Sequence, residues 1–308
     1  MTPRRRVLVV GDLVTDVVAV TAHPPAAGTD TPAQIHLTGG GQAANTAAWL
    51  AAQGVPVTLV AAVGDDPAGE QRCAELAALG VDCAVRRVAG VATGTLVVLA
   101  TGAERTMLTD RGASDHLRPV DVTQALADRP DIGHLHLSGY ALLGAGSRPA
   151  AQHALAWARR HALTTSVDAA SAAPLRQVGP ATFRRWIHGV DLLLANQDEA
   201  AALAELPSPA DTDALRDQLR GLAEAVVVKR GVAGAAWFDR NGGVVEVPAV
   251  ALDPAAVVDP TGAGDAFAAG LLATWLTGAD PVAALRAGVE AGAAAVVTAG
   301  ARPADPRR

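Results

Sequence analysis

The chain has 308 residues, half of them hydrophobic, with 25 Lys and Arg against 31 Asp and Glu and a formal net charge of −6. That length suits a large, well-buried α/β core and the composition excludes extended disorder, while no apolar run reaches the 18 or more residues of a membrane span. A mildly acidic chain whose only basic clusters are Arg4-Arg5-Arg6 and Arg307-Arg308, both read as solvated ends, is a poor nucleic-acid binder.

Val7–Val10 reads as a short buried strand that stops at Gly11-Asp12, too early for a signal peptide, so the cytoplasm is the expected location. Val14–Val20 and Gln34–Leu37 read as strands of a smaller sheet, with a loop over His23–Gly28 between them. Helical spacing runs over Gln42–Gln53, followed by a strand at Val55–Val63 and a helix at Gly69–Leu79 that ends at Gly80. Thr95–Ala100 and Arg105–Thr109 flank Gly102-Ala103-Glu104 as a hairpin. Strand His134–Leu137, helix Pro149–His161, strands Thr164–Asp168 and Val190–Leu194, helix Asp198–Ala204 and strand Ala225–Lys229 come next. A second hairpin, Ala235–Phe238 with Val244–Val247, precedes two alanine-rich helices at about Gly262–Leu276 and Pro281–Thr298. The alternation predicts a doubly wound, mostly parallel α/β sheet flanked by helices, with ligands at the carboxyl ends of its strands. Cys73 and Cys83 form no metal spacing and no expected disulfide.

Asp259-Pro-Thr-Gly-Ala-Gly-Asp265 runs from an apolar strand into a helix through Gly262 and Gly264. Free amides at a helix start make an anion site. A carboxylate there repels phosphate, so Asp265 makes sense as the acceptor of a proton from an attacking hydroxyl; the alternative is a plain helix cap with a Gly-rich turn. Thr38-Gly-Gly-Gly41 opens a second helix, with Asn45 one turn in, where its amide can bridge two hydroxyls; the alternative is a flexible loop with a surface Asn.

These two stretches resemble the signature motifs of the ribokinase-like, or PfkB, family of carbohydrate kinases. Asn196-Gln-Asp-Glu199, Val228-Lys-Arg-Gly231 and Gly11-Asp12-Leu-Val-Thr-Asp16 resemble further family motifs in the right order, so the likeness spans essentially the whole chain. The resemblance implies a single kinase domain over residues 1–308, with a small β-sheet lid drawn from about 12–38 and 91–111 that covers the substrate and forms a homodimer contact. It implies ATP and Mg²⁺ as cofactors and a small-molecule sugar or nucleoside as substrate. Asp265 would be the general base, with Gly262, Ala263 and Gly264 as the anion hole. Asp16, Gly40, Gly41 and Asn45 would hold the substrate; apart from the resemblance, Arg111 beside a lid strand and Tyr140 just after a strand are candidates to reach it. Asn196 and Glu199 would act through the Mg²⁺ hydration shell, and Lys229, Gly231 and Gly234 would lie along the ATP. Asp259, with the carbonyls of Ala295 and Gly300, would bind a monovalent cation such as K⁺.

The chain departs from the pattern of ribokinase at Val14, Gln42, Ser138-Gly139-Tyr140 and Ala304. Asp168-Ala-Ala-Ser-Ala172 stands where fructokinases and ketodeoxygluconate kinases tend to show Asp-x-Asn-x-Arg. The expected activity is ATP-dependent phosphorylation of a primary hydroxyl of a sugar-like compound. The alternatives are a nucleoside kinase of pseudouridine or adenosine type and a sensor that binds without catalysis. A dinucleotide-dependent oxidoreductase lacks its Gly-x-Gly-x-x-Gly after the first strand. His134 and His136 read as strand residues near a sheet edge, Asp168 as either a cap or a site residue, and Trp157 and Trp275 as core.

Overall fold

The computed structural model describes residues 5–101, 104–298 and 300–304; the Gly102-Ala103 turn, Arg4 and the Arg307-Arg308 end lie outside them. The strands are β1 (Arg6–Val10), β2 (Val14–Thr21), β3 (Gln34–Gly40), β4 (Val57–Gly64), β5 (Asp82–Val88), β6 (Thr95–Thr101), β7 (Glu104–Asp110), β8 (Ile132–Ser138), β9 (Thr164–Asp168), β10 (Val190–Asn196), β11 (Ala223–Lys229), β12 (Ala235–Asp239) and β13 (Val244–Val247). The helices are α1 (Gln42–Ala52), α2 (Pro67–Ala78), α3 (Pro119–Ala127), α4 (Gly139–Leu143), α5 (Arg148–Arg160), α6 (Ala172–Val178), α7 (Pro180–Ile187), α8 (Gln197–Ala204), α9 (Thr212–Leu219), α10 (Ala263–Trp275) and α11 (Pro281–Val296).

Nine strands form the main sheet in the order β13-β12-β11-β10-β9-β8-β1-β4-β5. All neighbours from β11 to β5 run parallel, and the β12–β13 hairpin adds antiparallel strands at one edge. The apolar runs are continuous because both faces are covered. Val7 and Val9 of β1 enter one core with α1, α10 and α11, while Leu8 and Val10 enter the other with α5, α7 and α8. The alanine content of the last two helices has a packing use: a Cβ on Gly270 would stand 2.5 Å from the Ala287 carbonyl, so only small residues allow that approach.

The sheet order reverses between β8 and β4 on either side of β1, the place where doubly wound sheets leave a crevice at the strand ends. A second sheet, β3-β2-β6-β7, carries the extra strands of the first 110 residues. β2 pairs antiparallel with β3 and parallel with β6, and β7 pairs antiparallel with β6. Among the described residues, no helix is long and apolar enough to cross a membrane.

The structure corrects three readings. His134 and His136 lie on β8, an interior strand between β1 and β9, not near an edge. Trp157 and Trp275 are half-buried, packed against the cores from outside. β5 is an additional strand, paired with β4, and α3, α4, α6, α7 and α9 are additional helices.

Candidate active site

The parallel strands end on polar residues on one side of the sheet. Asp12 follows β1, and Ser138, Asp168, Asn196 and Lys229 close β8, β9, β10 and β11. Registers Ser138↔Asp168 and Asn196↔Lys229 set these ends level in two pairs, the second two residues further along than the first.

Two Gly-rich turns open helices onto this row. Gly41, at φ 99°, is the residue before α1, and a Cβ on it would sit 2.6 Å from the Asp12 carbonyl. The Asp12 carboxylate accepts from the amides of Gln42 and Ala43, both at 3.3 Å, and so caps α1 from outside the helix. Gly40 ends β3 against Asp16; a Cβ there would lie 2.0 Å from Asp16 Oδ1. Asp16 is buried, its Oδ1 has no hydrogen-bond partner, and burial pushes its carboxyl up to about 6 against the pull of Arg302.

Gly262, at φ 80°, caps α10, and a Cβ on it would meet the Ala301 carbonyl at 2.4 Å. Residues 263–265 form the first turn of α10, whose amides have no acceptor within the helix. Asp265 sits there and accepts from Asn45 Nδ2 at 2.9 Å. Enclosure by protein pushes the Asp265 carboxyl up to about 8; the Asn45 hydrogen bond works the other way, and Asp168 adds to the rise.

Lys229 Nζ donates to Asp168 Oδ2 at 2.7 Å and would stand 3.4 Å from a Cβ on Gly264, so its charge lies at the start of α10. Burial alone would lower the Lys229 pKa, but the Asp168 and Glu199 carboxylates hold it above the ordinary range. Asp168 Oδ1 accepts from Gln42 Nε2 at 3.0 Å, and Gln42 Oε1 accepts from Ser138 Oγ at 2.7 Å. Asp168 therefore joins the α1 side of the cleft to the Lys229 side, a position its sequence context left open between cap and site. Asn196 and Glu199 form a reciprocal cap at the start of α8. Glu199 Oε2 accepts from the Asn196 amide and Oε1 from Asn196 Nδ2, both at 2.7 Å, and burial raises the Glu199 pKa.

The remaining sequence candidates lie around this centre. Burial pushes the Tyr140 hydroxyl up to about 12, and the Arg111 guanidinium carbon stands 5.8 Å from its ring centroid while Arg111 Nε bonds Asp115 at 2.8 Å. Gly231 and Gly234, at φ 55° and 85°, shape the β11–β12 connection; Gly231 faces open space, whereas a Cβ on Gly234 would collide with the Val247 carbonyl at 2.0 Å. Asp259 accepts from the amides of Thr261 at 2.9 Å and Gly300 at 3.2 Å. The Ala295 carbonyl accepts from the Thr298 amide and hydroxyl at the end of α11. His134 and His136 share the Ser166 hydroxyl, at 2.7 and 2.8 Å, inside the sheet, and burial holds them neutral, lowered to about 3 and about 4. A cavity of about 640 Å³ lined by His134, Thr164 and Trp275 opens at the opposite, amino-terminal ends of the strands.

Sequence reasoning missed Arg302. Its Nε donates to Asn45 Oδ1 at 3.1 Å and its Nη2 to the Gly40 carbonyl at 2.9 Å. No motif surrounds it, and 257 residues separate it from Asn45.

The pfkB family carbohydrate kinase model matches residues 4–308. The ATP-dependent ribose-1-phosphate kinase of Halopiger xanaduensis is 33% identical over 269 residues, covering 86% of this chain and 83% of its own. The 2-dehydro-3-deoxygluconokinase of Thermoproteus tenax is 32% identical over 260 residues, covering 82% and 78%. Among solved structures, adenosine kinase from Sinorhizobium meliloti superposes with a TM-score of 0.85 at 25% identity, covering 98% of this chain and 96% of its own. An E. coli protein solved with ATP and Mg²⁺ gives a TM-score of 0.81 at 25% identity, covering 96% and 94%. With the family model spanning nearly every residue and the fold shared throughout, this chain belongs to the pfkB family of carbohydrate kinases and is an ATP-dependent kinase.

Proposed function

We propose that the chain is one kinase domain that transfers a phosphoryl group from ATP to a primary hydroxyl of a sugar or sugar derivative, with Asp265 as general base. The contact from Asn45 Nδ2 to Asp265 Oδ2 carries this reading, because it joins the two Gly-rich turns and puts a carboxylate of raised pKa at the amino-terminal end of α10. A general base works best with a pKa near the working pH. Bound ATP supplies the transferable phosphoryl group, and Mg²⁺ neutralises its oxygens. The amides of Gly262, Ala263 and Gly264 hold the transferring oxygens, and Lys229 adds positive charge beside them. Glu199 and Asn196 would act on Mg²⁺ through its hydration shell, which suits carboxylate oxygens already engaged by Asn196. Gly231 and Gly234 border the nucleotide.

On the acceptor side, Asp16 Oδ1 is a buried acceptor without a donor, and a substrate hydroxyl satisfies it. Asn45, Gly40, Gly41, Tyr140 and Arg111 complete that wall. Asp265 then takes the proton of the attacking hydroxyl. The four-stranded sheet is read as a lid that excludes water and pairs two copies of the chain. A K⁺ ion would be held by Asp259 and the carbonyls of Ala295 and Gly300. Asp259 and the Ala295 carbonyl also accept hydrogen bonds from the amides of Thr261 and Gly300 and from Thr298.

The two curated relatives above act, by their names, on ribose 1-phosphate and 2-dehydro-3-deoxygluconate, which favours a sugar carrying an anionic group. The nucleoside reading is kept by the likeness to adenosine kinase. Release of ADP with ATP, Mg²⁺ and a panel of pentoses, hexoses, pentose 1-phosphates, ketodeoxy sugar acids and nucleosides separates them. Turnover with sugar derivatives is expected. Turnover with nucleosides alone would replace this reading by the nucleoside one, and ADP release with none of the panel would favour a non-catalytic sensor.

A further inference from the structure

Arg302 belongs to neither Gly-rich turn, yet the short segment that carries it, residues 300–302, touches both. Gly300 donates to Asp259 Oδ2 at 3.2 Å, Trp49 Nε1 of α1 donates to the Ala301 carbonyl at 3.0 Å, and Ala301 packs where a Gly262 Cβ would otherwise be. Residues 300–302 are thereby clasped between α1 and the start of α10. The guanidinium fork then reaches Asn45 Oδ1 and the Gly40 carbonyl together. Gly39 makes room for it, since a Cβ there would lie 2.1 Å from Arg302 Nη1.

We propose that Arg302 is a positioning residue for phosphoryl transfer, fixing the Asn45 amide so that its nitrogen, and not its oxygen, faces Asp265. The inference rests on the reading of Asp265 as base. An amide can lie either way round in its plane. With Arg302 donating to Oδ1, the flipped amide would press its NH₂ on a guanidinium and, in the ionised form a base requires, its oxygen on the Asp265 carboxylate, two unfavourable contacts in place of two hydrogen bonds. Asn45 can make four hydrogen bonds and spends two on this relay, leaving one N–H and one lone pair for a substrate hydroxyl. A lysine cannot reproduce the arrangement, because a single ammonium lacks the planar fork that serves two acceptors at fixed angles. The sequence gives this residue no other local task, since Arg302 lies in no helix or strand.

The charged and titratable groups around the relay are identifiable. Glu75 and Arg72 of α2, Asp16 of β2 and Cys83 of β5 face Arg302, and its Nη1 stands 3.6 Å from Glu75 Oε2. Asp168, Lys229 and Asp12 face Asp265 beside Asn45. None of these groups donates to Asn45 Oδ1, so none can replace Arg302 in holding the amide.

The test is the pH dependence of kcat for Arg302→Met and Arg302→Lys beside Asp265→Asn, with ATP and the panel acceptor of highest turnover, each protein first checked for folding by thermal unfolding. Arg302→Met should lower kcat by about tenfold or more with KM for ATP little changed. Its acid limb should move upward by roughly half a pH unit, because a carboxylate without an aligned donor is harder to ionise. Arg302→Lys, which keeps the charge and most of the stem, should fold and fall between wild type and Arg302→Met. If both Arg302 variants melt earlier but keep the wild-type kcat and acid limb while Asp265→Asn is inactive, Arg302 is only a brace and the inference fails alone. If Asp265→Asn itself turns over normally, the base reading fails and takes the inference with it.

Discussion

Asp265 holds a proton at pH values where an exposed aspartate has none, because protein encloses its carboxyl and the hydrogen bond from Asn45 offsets only part of that burial. In the unfolded chain it titrates near 3.8, and in the folded chain at about 8. Between those values the folded state binds the extra proton, so the group's contribution to stability is full below the lower value and is lost as pH rises through the upper one. Asp265→Asn keeps the shape and the Asn45 contact but removes this penalty. Its thermal unfolding temperature should therefore exceed that of wild type at pH 9 by roughly 2–6 °C, for a gain of about 1–2 kcal/mol in a cleft that admits water, and the gap should close toward pH 4. An unchanged gap across that range would contradict the burial argument. At this scale the sequence was informative where a residue type is awkward for its surroundings, as with Asp265 next to an anion turn. It was silent on Arg302, which has no neighbouring pattern and acquires its role only through contacts made by folding. It also left Asp168 undecided, because its partners, Gln42 and Lys229, lie 126 and 61 residues away in sequence.

One face of the four-stranded sheet presents Ile35, Leu37 and Leu108 to solvent, with Ile35 64% and Leu37 69% exposed. Strands with large apolar side chains on an open face are exposed to association. Read as the surface that pairs two copies of the chain, this face predicts that Ile35→Asp with Leu37→Asp yields a monomer where wild type sediments as a dimer. A monomeric wild type, or a double variant that stays dimeric, would remove the lid from the assembly. The strands of this sheet were legible because their apolar runs break the alternation of strand and helix. β5 was not. It is an edge strand of the main sheet with half-buried residues, and its Arg86 and Asp82 are tied to Asp121 of α3 and to Arg129 by ion pairs no short window displays. The same holds for the histidines of β8: their period of two announced a strand, but their place between β1 and β9 depends on sheet order, which is a property of the whole chain.

At the scale of the molecule, the doubly wound topology aligns five polar strand ends on one side of the sheet and turns two Gly-rich helix starts toward them. The order of motifs along the sequence anticipated which residues meet, although the turn before α1 leaves β3 of the small sheet and the apolar Val257-Val258 run before α10, expected as a strand, forms none. What sequence order could not supply is the distance between motifs 220 residues apart, which the structure closes to a 2.9 Å hydrogen bond between Asn45 and Asp265. The account of this kinase stands on that pairing. The most direct test is turnover of Asp265→Asn measured together with ATP and acceptor binding by calorimetry. The account predicts that ADP release falls by about 100-fold or more while both ligands bind within a few-fold of wild type; an Asp265→Asn enzyme that turns over near the wild-type rate would contradict it.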